Sequence, residues 1–229
     1  MKNYSKKSAF IAVVAAMVVS AISITSCSKD DDGNDTLFSL DKDSVSLMVK
    51  QTGSVSSTKT ATWMSENDFI ASVNSSGEIT ANHVGKTEIV ATADGKSLKC
   101  GVTVKANYNT FIEPFHYFTM NKDEVKATAL GTLKKETDTK LTFDDVLGNP
   151  VVYTFDETTG KLKGVLIQLK ISVSRVDEVT DFLRERYEFL SKSGDYYMFI
   201  DAMTQDDAKT VVGLKAESYG VSVSYIPAN

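Results

Sequence analysis

The chain has 229 residues, with 25 Lys plus Arg against 30 Asp plus Glu and a formal net charge of −5. That acidic balance disfavours sequence-independent binding to phosphate backbones or anionic headgroups, so nucleic acid is not an expected partner. The length suits one or two domains with real cores, and two histidines and two cysteines, widely separated, do not make a zinc site of ordinary spacing.

The first element is a targeting segment. Lys2, Lys6 and Lys7 open the chain without an acid, Ala9 to Val19 is apolar, and small residues continue to Ser26. This is the pattern of a secretory signal, and its apolar run is shorter than the roughly 20 residues a membrane-crossing helix needs. Ile24-Thr25-Ser26-Cys27 resembles the lipobox of bacterial lipoproteins. The resemblance implies that residues 1–26 are a lipoprotein signal peptide, cut before Cys27, and that Cys27 carries the lipid. Each buried acyl methylene would then add about 0.8 kcal/mol of membrane affinity. Ser28-Lys29-Asp30-Asp31-Asp32 resembles the acidic export tag of Bacteroidetes-type surface lipoproteins, which implies an outer-membrane, lipid-anchored protein exposed at the cell surface. Residues 27–36 are polar and acidic throughout and are expected to act as a tether. With Cys27 used, Cys100 has no intrachain partner, and stability has to come from packing.

Residues 37–106 read as β-rich. Val45, Leu47 and Val49 alternate with Ser44, Ser46 and Met48, while Leu98, Cys100, Val102 and Val104 alternate with Lys99, Gly101 and Thr103. Such period-2 patterns mark strands with one buried face, and Asn74-Ser75-Ser76-Gly77 and Asp94-Gly95 supply turns. The ordered pieces "SVSLMVKQTG", "TWMSENDFIASV", "GEITANHVGKTEIVATA" and "KCGVTV" resemble the bacterial Ig-like group 2 (Big2) domain. The resemblance implies an all-β sandwich with Trp63 between its sheets. The short stretch between Gly53 and Trp63 predicts a shortened second strand. Cys100 shares the parity of its apolar neighbours and is expected to be a buried, inert thiol.

Residues 107–229 are expected to form an α+β domain of two α-β-β-β units, with helices packed on an antiparallel sheet. "NYNTFIEPFHYFTM" (107–120) reads as a junction. "NKDEVKATALGTL" predicts a first helix with Asn121 as N-cap, Glu124 three residues on, and Val125, Ala129 and Leu133 at helical spacing. "KLTF", "VVYTF" and "KLKGVLIQLKISV" predict strands, with Val165, Ile167, Leu169, Ile171 and Val173 on one face. "SRVDEVTDFLRERYEFLSKSG" predicts a second helix with Ser174 as N-cap and a stripe of Val176, Val179, Leu183, Tyr187 and Leu190, ended by Gly194. "YYMFI", "TVVGLKAES" and "GVSVSYIP" predict three more strands. The echo of "DEVKATALGTL" in "DEVTDFLRERY" suggests a duplication, with two generic amphipathic helices as the alternative. At the level of topology the tandem unit resembles the β-lactamase-inhibitor-like fold, and "FTMNKDEV" and "YTFDETTGKLKGVLI" resemble small lipoproteins of outer-membrane assembly.

Catalytic and metal motifs are missing. "VGKT" (84–87) and "DGKS" (94–97) lack the earlier glycine of a phosphate loop, Thr80 and Val90 standing in its place. His83 and His116 have no cysteine neighbours, the acidic runs lack calcium-loop spacing, and no G-x-S-x-G elbow occurs. Asp144-Asp145 and Asp156-Glu157 fall in apparent surface turns. No enzymatic activity, metal or cofactor is expected. Binding remains, and the candidate partner-binding aromatics are Tyr108, Phe111, Phe115, Tyr117, Tyr196 and Tyr197, which could stack on a glycan or anchor a protein. By alternation, the competing reading puts one of each pair in the core and uses the junction aromatics to join the domains. The expected function is a lipid-anchored cell-surface binding protein, an adhesin or glycan-associated accessory lipoprotein whose Ig-like stalk presents an α+β domain. The alternative is a periplasm-facing envelope-assembly or inhibitor-type lipoprotein that grips a protein through a concave sheet, and the expected partners are the membrane, through the lipid anchor, and a glycan or a host or envelope protein.

Overall fold

Strands begin where the alternation begins. β1 (Ser44–Met48) runs parallel to β7 (Lys96–Lys105), which pairs antiparallel with β6 (Gly85–Ala93), and β6 with β3 (Thr62–Ser65). A second sheet holds β2 (Thr52–Ser54), β5 (Glu78–Ala81) and β4 (Ala71–Val73) in that order. Leu47, Ile79, Ala81, Ile89, Cys100, Val102 and Val104 meet between the two sheets. β2 is only three residues long. Trp63 is partly buried and packs on both this core and the smaller cluster of Phe38, Ala91 and Ala93. Gly77 explains the tight turn beside it. Its φ is +79°, and a Cβ there would lie 2.2 Å from the Val55 carbonyl oxygen, a position open only to glycine.

The computed structural model describes residues 37–218 and 220–228, so Cys27, the expected signal peptide 1–26 and the expected tether 27–36 lie outside the described residues. All the elements described belong to one compact unit, and the chain is mostly β.

After the sandwich comes α1 (Lys122–Thr128), whose capping box forms as its sequence predicts. Asn121 Oδ1 accepts from the backbone N–H of Asp123 and Glu124, both at 3.0 Å, and Glu124 Oε2 accepts from Asn121 N at 2.7 Å. The helix is shorter than its pattern. Ala129 is already extended and Gly131, at φ +111°, presses on the Asp144 backbone, so Leu133 lies in a strand instead. That strand, β8 (Thr132–Glu136), precedes β9 (Lys140–Asp144), β10 (Pro150–Phe155) and β11 (Leu162–Leu169). Ile171 and Val173 fall beyond β11, Val173 beginning a 3-10 turn.

α2 (Val176–Arg184) follows that turn. Ser174 does not cap it: the N-cap position is Arg175, without a side-chain cap, while Ser172 caps the preceding 3-10 turn by accepting from Ser174 N, and Arg175 pairs with Glu178 across the first turn of α2. This helix is also shorter than its stripe. Tyr187 and Leu190 are not helical, because the chain leaves the helix at Glu185 and enters β12 (Glu188–Ser193), followed by β13 (Tyr196–Ile200), β14 (Thr210–Glu217) and β15 (Gly220–Pro227). Each helix is thus followed by four strands, not three. The missed members, β8 and β12, are the two edges of one eight-stranded antiparallel sheet ordered β12-β13-β14-β15-β11-β10-β9-β8. The last strand of each meander pairs with the other at the centre, about the Ile167↔Val223 position.

One face of this sheet is the main core. Phe143, Val151, Tyr153, Val165, Ile167, Phe199, Leu214, Val223 and Tyr225 pack beneath Val125 of α1 and Val179, Phe182 and Leu183 of α2. At about 25 cal/mol per Å² of apolar area, such fully buried side chains each contribute roughly 1.5–3 kcal/mol.

Candidate functional site

The opposite face of the eight-stranded sheet is open. Cross-strand register places Met198, Gly213, Ser224, Leu166, Val152 and Thr142 in one row across β13, β14, β15, β11, β10 and β9. The adjacent row carries Tyr196, Lys215, Ser222 and Gln168. Tyr196, Met198, Leu166 and Ile226 are exposed, and small residues lie between them. The row is a shallow apolar surface whose middle is floored by glycine and serine. At its centre the Gln168 side-chain Nε2 is buried without a hydrogen-bond partner. Lys215 is held beside the strip by Glu217 at 2.9 Å and lies 5.2 Å from the Tyr196 ring centroid.

The six aromatic candidates do not converge on one site. Phe111 is buried and meets Phe182 at 4.2 Å between centroids, so it belongs to the core; the strap it sits on crosses the helical side of the sheet. Phe115 is partly buried and stacks on Tyr153 at 5.1 Å. Tyr197 also faces the core, opposite Leu214, as the alternation with Tyr196 demands. Tyr117 is 68% exposed on the strap, its ring stacked 6.3 Å from that of Phe115, and Tyr108 is exposed at the junction. Of the six, only Tyr196 lies on the open sheet face. Leu166, Met198 and Ile226 were legible as the out-facing partners of core residues, but out-facing apolar residues carry no signal of their own in a sequence.

The junction between the sandwich and the large sheet is built around Glu185. Its side chain is 5% exposed and its carboxylate accepts from Asn107 N at 2.9 and 3.1 Å, Asn107 Nδ2 at 2.6 Å and Tyr108 N at 2.9 Å. Its own carbonyl accepts from Val84 N, just before β6, at 2.7 Å. Arg186 lies 3.5 Å over the Phe182 ring and donates to the Phe182 carbonyl. Nearby, Tyr187 donates to Glu113 at 2.6 Å, and burial with that carboxylate raises its hydroxyl pKa strongly. The Tyr108 hydroxyl is raised chiefly by the Asp181 charge.

Beside this clasp runs a cleft of about 890 Å³, bordered by Lys50, Asp68, Ser72, Asn82, Arg184 and Phe189. An adjoining groove of about 450 Å³ shares Lys50 and Arg184 and adds Tyr108. His83 forms one wall. Its ring stacks on Phe69 at 4.0 Å, Nδ1 hydrogen-bonds with the Phe69 carbonyl at 2.8 Å, and Nε2 faces Glu188 at 3.6 Å. A smaller apolar cavity of about 290 Å³ lies between Ile112, Phe115, Leu130 and Tyr153. Burial pushes the Tyr153 hydroxyl up to about 12.

The motifs resembling reactive sites have structural explanations. Gly85 of "VGKT" starts β6, and in "DGKS" Asp94 and Gly95 make the β6–β7 turn while Lys96 and Ser97 begin β7. Cys100 is buried and its thiol is raised by desolvation. Asp145 and Asp156 hold turns: Asp145 accepts from Leu147 and Asn149, and Asp156 from Thr158 and Thr159, which lowers its pKa. Among the described residues no group of three His, Cys, Asp or Glu side chains is placed to hold a metal, and no helix is long and apolar enough to cross a membrane.

No curated protein matches the chain. Solved structures similar to it include domains 5–6 of the S-layer protein SbsC, at 15% identity over 85% of this chain and 84% of that one, with a TM-score of 0.27. Another is a SusE-like surface located polysaccharide binding protein from the Bacteroides thetaiotaomicron heparin utilisation locus, at 13% identity, 84% and 33% coverage and a TM-score of 0.22. A third is the extracellular cadherin domains 1–5 of protocadherin gamma B2, at 15% identity, 82% and 38% coverage and a TM-score of 0.26. A family model does match, over residues 35–104, and with the two-sheet sandwich already described it establishes that the chain carries a bacterial Ig-like domain of group 2.

Proposed function

We propose that this is a lipid-anchored cell-surface protein that works by binding and not by catalysis, its Ig-like domain serving as a spacer. In this reading residues 107–229 are an α+β unit whose helices and strap cover one face of the sheet and leave the other for a protein partner. The observation that carries it is the open face, where Tyr196, Met198, Leu166 and Ile226 stay exposed over a floor of glycine and serine. An exposed apolar surface ringed by polar side chains is what a protein interface looks like before its partner arrives.

The experiment compares beads coated with the chain from Ser28 onward against beads coated with its M198D or L166D variant on a panel of extracellular-matrix and envelope proteins. The expected result is partner-specific adhesion that either charge abolishes while circular dichroism stays unchanged. Adhesion that survives both variants removes the open face from the function. The same sheet face also suits the periplasm-facing envelope-assembly or inhibitor-type reading. Protease shaving of intact cells separates the two, since a surface protein is digested and a periplasmic one is spared.

A further inference from the structure

The apolar cavity beside the strap contains a buried polar group that the fold does not use. It forms where α1 gives way to β8. The helix stops at Thr128, Ala129 is extended, and Gly131 is pressed on the Asp144 backbone, which leaves Leu130 off the helical pattern. The strap contributes Ile112, Pro114 and Phe115, and β10 contributes Val151 and Tyr153. With Leu130 these residues enclose a space of about 290 Å³. A cavity of about 150 Å³ lined by apolar side chains is enough to hold benzene, so this one accommodates a substituted ring.

Tyr153 is 3% exposed, and its ring is held by stacking on Phe115 at 5.1 Å and by an edge contact with Phe143 at 5.9 Å between centroids. Its hydroxyl nevertheless has no hydrogen-bond partner among the described residues, and burial is the one influence that raises it. The other polar side chains of the lining are engaged. Thr128 donates to the Glu124 carbonyl at 2.8 Å, Asp145 accepts from the N–H groups of Leu147 and Asn149, and Glu113 accepts from Tyr187 at 2.6 Å with Arg186 3.8 Å away. Both carboxylates keep their charge, and no basic side chain lines the cavity, so an anionic ligand is repelled. An ammonium would lose its water against the apolar walls and find both carboxylates already bound by donors. An uncharged ring with one polar group meets neither penalty. It also pairs the hydroxyl, whose burial without a partner is costly, and apolar walls with a single convergent polar group are the pattern of a small-ligand site.

We propose that this cavity binds a small uncharged aromatic molecule with one hydrogen-bonding group, such as a phenol, its ring against Phe115, Leu130 and Val151 and its polar group on the Tyr153 hydroxyl. The site lies on the helix-and-strap side of the sheet, so it is separate from the binding face proposed above and each can fail alone. The test titrates the full chain with p-cresol, toluene, p-toluate and 4-methylbenzylamine. Methyl NMR signals of Ile112, Leu130 and Val151 report the cavity, and those of Leu166 and Met198 report the open face. Expected are saturable shifts of the cavity methyls by p-cresol at millimolar concentration, with Leu166 and Met198 unmoved. Tyr153→Phe, shown to be folded by the same spectrum, should weaken p-cresol by about fivefold and leave toluene within about twofold of the parent, since only p-cresol loses a hydrogen bond. The inference is overturned if p-cresol leaves the cavity methyls unmoved, if it shifts Leu166 and Met198 instead, if Tyr153→Phe weakens both ligands equally or neither, or if p-toluate or 4-methylbenzylamine binds as tightly as p-cresol.

Discussion

Replacing Glu185 with alanine tests whether the sandwich and the large sheet are joined by one buried carboxylate. The substitution strands three donors that converge on it, Asn107 N, Asn107 Nδ2 and Tyr108 N. A hydrogen bond to a charged acceptor contributes about 1.5–3 kcal/mol. Asn107 and Tyr108 are themselves exposed, so water replaces part of each bond. The net cost is therefore nearer 2–3 kcal/mol than the sum of the three bonds. For a chain of this size a kilocalorie moves the midpoint by about 2–4 °C, which predicts a fall of roughly 4–12 °C. Glu185→Gln keeps one acceptor oxygen but turns an amide toward the other donors, and should lose about half as much. Calorimetry of both variants, with limited proteolysis at residues 105–110 as a second readout, checks the reasoning. If Glu185→Ala melts within a degree of the parent in a single transition and its linker resists protease, the clasp does not hold the two parts together.

Gly77→Ala should cost about 3 kcal/mol, because both the left-handed backbone and the Val55 carbonyl oppose a Cβ there; urea denaturation measures it. Glu124→Ala removes half of the α1 capping box and should cost about 1 kcal/mol in the same assay. Alkaline pH should destabilise the fold through Tyr153. Burial keeps its hydroxyl neutral up to about 12 in the folded state, whereas unfolding returns it to its ordinary value near 10. Its contribution, on the order of 2 kcal/mol, is whole below pH 10 and disappears as pH rises toward 12, and Tyr153→Phe should flatten that decline in melts monitored between pH 9 and 12.

The strands that bury one face were legible, and the elements that bury none were not. Leu141, Phe143, Val151 and Tyr153 alternate with polar or half-exposed residues, so β9 and β10 announce themselves. β8 is exposed along its whole length and is held by backbone bonds to β9 and by ion pairs of Glu136 with Lys122 and Lys126 and of Lys134 with Asp144, leaving no apolar pattern to read. The second helix misled for the opposite reason. Leu183 and Tyr187 are both buried, and their spacing continues a helical stripe although a turn separates them. The chain changes from helix to strand at Glu185, and the reason is tertiary: its carboxylate is bound by Asn107 and Tyr108, from a segment far away in sequence. Local pattern carries no record of such a partner.

The same contact governs which surfaces the protein can offer. Lys50 lies just after β1 and Arg184 ends α2, so the cleft they share exists only while the Glu185 clasp and the Val84–Glu185 backbone bond hold the two parts in place. The open sheet face needs no such clasp, because every residue in its rows belongs to one continuous ladder. Loosening the clasp should therefore widen the cleft and leave adhesion through Met198 and Leu166 intact. Glu185→Ala, assayed at a temperature below its lowered midpoint, should adhere like the parent. Loss of adhesion in a protein that is still folded would mean that the open face depends on the clasp after all.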